Sequence, residues 1–260
     1  MLNKEQILNY FEAINSTGST LLYFDNVPAN AEPKPHISLA KPIPPQILAE
    51  KIIENKIINE EPEHIKTEFK SPNLPYKTLD ELRNGIANCK QCILGATRNK
   101  LVFGEGNPNA DLMVIGEAPG ADEDEQGMPF VGRAGKLLTD ILKAINFERS
   151  DIYIANICKC RPPSNRKPMA NEITCCEPYL HKQIEIIQPK IMLALGLTAA
   201  EALFHQQFKM GDIRGKFLNF NGIQTMITYH PAALLRNPNW KRPVWEDVQE
   251  LRKMYDELVK

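Results

Sequence analysis

Four short apolar runs, each closed by turn-forming residues, constrain the fold of this chain most. They are Leu112-Met113-Val114-Ile115, Ile152-Tyr153-Ile154-Ala155, Ile191-Met192-Leu193-Ala194-Leu195 and Thr225-Met226-Ile227-Thr228. Their length and continuous apolarity read as buried strands. Helical stretches separate and follow them, at 134–146, 171–187, 198–207 and 244–258. Strands alternating with helices imply a parallel sheet covered on both faces. The expected fold is therefore α/β, a three-layer α/β/α arrangement around a central, mainly parallel four-stranded sheet. In such sheets ligands gather at the carboxyl ends of the strands. Gly116-Glu117, Asn156, Gly196 and His230 all fall at such ends, so one rim should collect them.

The first part of the chain reads differently. Residues 3–15 suggest a short amphipathic helix with Ile7, Leu8, Phe11 and Ile14 at helical spacing. Pro28, Pro33, Pro35, Pro42, Pro44 and Pro45 then crowd a segment that can form neither a helix nor a central strand. Residues 1–75 are read as a helical, Pro-rich, partly disordered tether or docking arm, able to take a protein partner. The competing reading is a helical cap on the main domain, residues 76–260. With 260 residues, 43% of them hydrophobic, the chain can fill a core, and its net charge of −1 selects no class of partner. No secretory pattern opens the chain and no apolar run is long enough to cross a bilayer, so a cytoplasmic protein with no membrane role is expected. Nothing in the sequence demands more than a monomer.

All six cysteines lie between residues 89 and 176. In a chain of this size, clustered thiols favour metal or redox use over a disulfide framework. Cys89-x2-Cys92 alone could be a redox pair or half of a zinc site; a second pair far along the chain strengthens the case for a metal or cluster. Ligand count suits zinc and iron–sulfur equally. Spacing does not choose between Cys158 and Cys160, or between Cys175 and Cys176.

The remaining motifs lie on the same rim. Gly116-Glu117-Ala118-Pro119-Gly120 follows a strand, where small residues let backbone approach a ligand. Taken alone it could be only a tight turn. The run Asp122-Glu123-Asp124-Glu125 reads as a solvated face, and Phe130 lies on a loop, where an aromatic can stack on a base. Asn156 ends a buried strand, where its amide must find partners or lose free energy. His230-Pro231 opens a loop carrying Leu234-Leu235-Arg236, Trp240, Lys241 and Arg242, the composition of an apolar wedge with phosphate contacts. Arg161, Arg166 and Lys167 add positive charge beside Cys160.

At this point the match becomes specific. The Gly116–Gly120 turn, Pro129-Phe130-Val131-Gly132-Arg133-Ala134-Gly135, Asn156-Ile157-Cys158-Lys159-Cys160-Arg161-Pro162-Pro163, Cys176-Glu177-Pro178-Tyr179-Leu180 and Tyr229-His230-Pro231-Ala232 resemble, in order, the family-four uracil-DNA glycosylases. The resemblance covers roughly residues 78–258. It implies an α/β/α fold, a 4Fe–4S cluster, and excision of uracil from single- and double-stranded DNA. It places the cluster ligands at Cys89, Cys92, Cys160 and Cys176 and leaves Cys158 and Cys175 as packing thiols. It also implies that the cluster is structural, holding the loop after residue 89 against the Arg161–Arg166 segment.

For the base, the resemblance implies a pocket of Ala118, Phe130 and Asn156. Stacking on Phe130 would return about 1–3 kcal/mol of the cost of turning uracil out of the helix. Asn156 can accept from uracil N3–H and donate to O4, provided its neighbours lock the amide. His230, as a neutral donor to uracil O2, would contribute about 10²–10³ in rate. Leu235, Arg236, Arg161 and Arg166 are expected to contact DNA. In better-known uracil glycosylases a carboxylate two residues after the first glycine of the turn positions the attacking water; here that slot is Ala118. Glu123 and Glu117 are the remaining candidates, Glu123 by the uracil edge and Glu117 acting mainly through its backbone. A related branch traps DNA covalently through a histidine in a basic insertion. Gly132-Arg133-Ala134-Gly135-Lys136 runs straight into a helix without one, so turnover is expected.

Two other readings compete. One is a non-catalytic DNA-binding module with a structural cluster, attached to replication machinery through residues 1–75. It predicts loss of Phe130, Asn156 or His230, and all three are present. The other is a zinc-stabilised α/β enzyme acting on a free nucleotide, which explains the Leu234-Leu235-Arg236 wedge poorly.

Overall fold

A computed structural model describes residues 74–260. The expected N-terminal arm lies outside the described residues except for its last two. The four apolar runs form the strands β2 (Leu112–Gly116), β3 (Tyr153–Asn156), β4 (Ile191–Leu195) and β6 (Ile223–Thr228). They pair in parallel in the order β3-β2-β4-β6, with Gly116 opposite Asn156 and Leu195 opposite Thr228. The chain passes from β2 to β3 on one side and then crosses to β4 on the other. The strand order therefore reverses about β2, and the crevice where α/β sheets bind ligands lies at its carboxyl end.

The sheet has six strands rather than the expected four. β1 (Glu105–Gly106) pairs antiparallel with β3, and β5 (Phe217–Phe220) antiparallel with β6. Both are edges. β1 has only two residues and β5 is half-exposed around Asn219, so neither shows the continuous apolar run of a buried strand. A signal for β5 was nonetheless present. Asn221-Gly222, with φ of 50° and 90°, makes the two-residue turn into β6 that an Asn-Gly pair favours.

Side chains alternate across the sheet, as a period of two requires. Met113, Ile115, Ala155, Met192 and Ala194 face a core closed by Leu180 and Ile184 of helix Ala170–Ile187 and by Leu203 of helix Leu197–Phe204. Leu112, Val114, Ile154, Leu193 and Leu195 face the opposite core. That core is closed by Leu138 and Leu142 of helix Arg133–Ala144 and by Val244, Val248 and Leu251 of helix Lys241–Leu258. These two cores make the three layers. A third cluster, Leu82, Ile86 and Phe103, seats the helix Leu79–Ile86. That helix starts on the N-cap Thr78, whose Oγ1 accepts from the Glu81 amide, while the Glu81 carboxylate accepts from the amide of Lys77 just before the cap.

Two segments that the sequence placed in no helix turn out to be helical. The acidic run forms the helix Ala121–Gln126, closed by Gly127 at φ 79°. Its carboxylates are not simply solvated. Asp124 is buried and accepts from the Asn99 amide and Asn99 Nδ2, both at 2.9 Å. After β6, Pro231–Arg236 is a helix with His230 as its N-cap and Pro231 at the first position, where a missing N–H costs nothing. Leu234 is consequently buried in the core, and only Leu235 of the expected wedge stands out, 40% exposed.

Candidate active site

The carboxyl ends of β2, β3 and β6 open onto a cavity of about 400 Å³. Glu117, Ala118, Glu123, Phe130, Asn156, His230, Arg166 and Arg236 all line it. Five segments far apart in sequence meet there, because each follows a parallel strand or the helix after it.

Asn156 closes β3 and is 2% exposed. Its Oδ1 is buried with no hydrogen-bond partner. Such a group costs about 1–3 kcal/mol unless a ligand satisfies it. Its backbone is well held: Lys159 Nζ, fully buried, donates to the Asn156 carbonyl at 2.8 Å and to Gln183 Oε1 at 2.5 Å. The amide is confined by packing rather than by a hydrogen bond to Oδ1. Gly116 lies directly across, and a Cβ there would stand 2.4 Å from Asn156 Oδ1 and 2.5 Å from Phe130 Cζ. The first glycine of the turn therefore makes room for the amide and the ring together.

Phe130 adopts φ 53°, a left-handed conformation that costs a bulky residue about 1–3 kcal/mol. The surrounding loop compensates from both sides. The Val131 and Gly132 amides donate to Glu123 Oε1 at 3.0 Å, and the Gly120 amide to Glu123 Oε2 at 3.0 Å. On the other side the Pro129 and Phe130 carbonyls accept from Arg149. Gly135 is obligatory beneath them, since a Cβ there would lie 1.9 Å from the Phe130 carbonyl oxygen.

His230 faces Phe130 with ring centroids 5.6 Å apart. Its Nδ1 accepts from the Ala232 amide at 3.1 Å, so the neutral ring carries its proton on Nε2. Burial, reinforced by the nearby Arg236 charge, holds its pKa down to about 4. At neutral pH His230 is thus an uncharged donor.

The two carboxylates at the cavity differ. Glu123 spends its oxygens on the three loop amides just described. The Glu117 carbonyl accepts from the Cys158 amide at 3.0 Å, whereas its carboxylate takes no hydrogen bond among the described residues. At the rim, Arg166 is paired with the buried Glu172 through two bonds of 2.8 and 2.6 Å, and Arg161 donates to Asn165 Oδ1 at 2.8 Å. Ser164 and Asn165, at φ 54° and 55°, make a tight turn there. Leu235 and Arg236 lie on adjacent positions of the His230-capped helix, with Arg236 toward the cavity.

A second recess lies behind β3. Cys89, Cys92, Cys160 and Cys176 line it, together with Cys175, Lys159 and Tyr179. Cys158 does not; it packs in the core against the sheet. Two donors address the sulfurs, Arg98 Nη1 reaching Cys160 Sγ at 3.1 Å and the Lys159 amide Cys176 Sγ at 3.2 Å, and the Tyr179 hydroxyl shares a hydrogen bond of 3.5 Å with Cys89 Sγ. Donors of this kind favour thiolates, so the chemistry of the recess fits a thiolate-bound group. As they stand, no three His, Cys, Asp or Glu side chains among the described residues are gathered to hold a metal ion. The thiols share a recess rather than a coordination sphere.

Sequence reasoning missed Arg149 and Lys159. Arg149 belongs to no recognisable motif, Lys159 stands in the Asn156–Pro163 motif with no role of its own to be read there, and only the fold brings their charges to Phe130 and Asn156.

Comparison with known proteins agrees with this geometry. Residues 103–252 match the family model described as the uracil DNA glycosylase superfamily. A type-4 uracil-DNA glycosylase of Sulfurisphaera tokodaii is 43% identical over 68% of this chain and 84% of its own length. One from Pyrobaculum aerophilum is 46% identical over 62% of this chain and 86% of its own length. A type-5 uracil-DNA glycosylase of that organism is 31% identical over 56% of this chain and 71% of its own.

Proposed function

We propose, from the premise that the chain belongs to the uracil-DNA glycosylase superfamily and within it to the type-4 enzymes, that it hydrolyses the N-glycosidic bond of uracil in DNA and leaves an abasic site. The observation that carries the reading is the buried, unpartnered Oδ1 of Asn156 beside the Phe130 ring and a neutral histidine. A cavity built this way lacks one planar ligand with an N–H to donate and a carbonyl to accept.

Uracil supplies both. Turned out of single- or double-stranded DNA, it stacks on Phe130, gives N3–H to Asn156 Oδ1 and takes the amide N–H at O4. His230 Nε2–H then points at O2. As the glycosidic bond lengthens, negative charge grows on O2 and the sugar becomes cationic. A neutral donor strengthens its hydrogen bond to that charge without having been desolvated as an ion beforehand. Ala118 offers no carboxylate to the attacking water, and Glu123 is held by loop amides. The water therefore falls to the unengaged Glu117 carboxylate and to backbone groups of the turn. Arg236, Arg161 and Leu235 meet the DNA strand. Arg166, held by Glu172, shapes the rim.

Cys89, Cys92, Cys160 and Cys176 would hold a 4Fe–4S cluster, whose contribution is to fold the recess together. Lys159 links that recess to the pocket, its amide on Cys176 and its ammonium on the Asn156 carbonyl. No helix among the described residues is long and apolar enough to cross a membrane.

The test is strand cleavage by alkali after incubation with an oligonucleotide bearing one uracil. Wild type should cut, and a His230→Ala/Asn156→Ala double variant should not. An inert wild type that still binds DNA would replace this reading with the binding-module one.

A further inference from the structure

We infer that Arg149, which does not line the pocket, is a positioning residue that sets the place of the Phe130 ring; the inference rests on the glycosylase reading above. Arg149 Nη2 donates to the Pro129 carbonyl at 2.8 Å and Nη1 to the Phe130 carbonyl at 3.2 Å. Thr139 Oγ1 and Glu105 Oε2, each at 3.4 Å, steady the same guanidinium from behind. Two consecutive carbonyls are thus gripped by one planar fork, and the next two amides, Val131 and Gly132, by the Glu123 carboxylate. A cation and an anion hold the two polarities of one short backbone segment.

The segment requires that grip. Phe130 sits at φ 53°, where a side chain with a Cβ does not rest of its own accord. Without the guanidinium, the carbonyls at 129 and 130 lose their charged donor and the peptide can turn toward an ordinary conformation, carrying the ring out of register with Asn156. Lysine would substitute only in part. Its ammonium is a point charge without the planar fork that spans two adjacent carbonyls. The grip comes from beyond the helix Arg133–Ala144, while Glu123 comes from the helix before the loop. The stacking residue is therefore braced by the helix before its loop and by the turn that follows the helix after it.

The test places Arg149→Met and Arg149→Lys in wild type and in Phe130→Ala, measuring single-turnover excision from a uracil oligonucleotide and amide hydrogen exchange over residues 127–132. A misplacement near 1 Å costs on the order of 10²-fold. Arg149→Met should lose about 10- to 100-fold in the wild-type background, with Arg149→Lys recovering only part of it. In Phe130→Ala the further loss should be under about threefold, because the ring being positioned is gone. Exchange at 127–132 should quicken while the sheet stays protected. Equal losses in both backgrounds, or unchanged exchange, would overturn the inference, since a merely structural arginine acts regardless of the ring. If Arg149→Met does not fold, Arg149→Lys and Glu105→Gln carry the same comparison. Wild type that leaves uracil DNA intact would sink the glycosylase reading instead, and the exchange measurement would then decide the positioning alone.

Discussion

Replacing Gly116 by alanine adds one methyl group at the most crowded point of the pocket. The new Cβ would lie 2.4 Å from Asn156 Oδ1 and 2.5 Å from Phe130 Cζ. Carbon atoms attract best at about 3.5–4.0 Å, so the ring must retreat by about 1 Å. Neither neighbour is the loose end of a surface side chain. Asn156 is anchored through Lys159, and Phe130 is buried on a loop clamped by Glu123 and Arg149. Overpacking of this kind destabilises by about 1–3 kcal/mol. For a domain of this size each kcal/mol lowers Tm by roughly 2–4 °C. The displacement falls on the two groups proposed to hold the base, and a shift near 1 Å costs on the order of 10² in rate. Gly116→Ala should therefore fold, melt several degrees lower and excise uracil about 100-fold more slowly in single turnover. A variant that melts like wild type and cuts within threefold of it would refute the reasoning, because the ring and amide would then have room they are not shown to have.

Other expectations follow from the same geometry. Burial holds His230 at about 4, below its ordinary 6.5, so protonation favours the unfolded chain. The stability from this group is whole above pH 6.5 and is lost as the pH falls from 6.5 toward 4. The single-turnover excision rate should show no inflection near 6.5, and an inflection there that vanishes in His230→Gln would contradict the neutral-donor role. Iron content and visible absorbance should survive Cys158→Ser and Cys175→Ser but drop in Cys160→Ser and Cys176→Ser; the reverse pattern would reassign the ligands. Asp247 is buried and accepts from Thr228 Oγ1 at 2.6 Å and from Arg214. Asp247→Asn should cost about 1–3 kcal/mol in urea melts, because Arg214 is partly exposed and keeps the Pro243 carbonyl and Glu246 while the Thr228 hydroxyl loses its charged acceptor. Excision per folded molecule should be unaltered, and a specific loss of activity instead would place Asp247 in the mechanism.

The central strands, the helices between them and the rim that collects the site are all legible in the sequence. Continuous apolar runs and helical periodicity report burial directly, residue by residue. The edges are less legible, since β1 is two residues long and β5 is only half covered. The helix Pro231–Arg236 carried its own start signal in His230-Pro231 and was still read as a loop, because six residues show no periodicity. Phe130, Asn156 and His230 could be named as pocket residues because each stands at a strand end or in a recurrent motif. How they are held could not. Glu123 reads as one carboxylate in an acidic run until the fold brings it against three amides, and Arg149 is 19 residues from the carbonyl it grips. The sequence by itself thus determined the layers, the rim and residues that line its cavity. Only the tertiary structure decided which charges hold backbone and which are left facing the cavity. Local pattern records whether a side chain is buried, whereas its partner is set by which distant loops the sheet brings together.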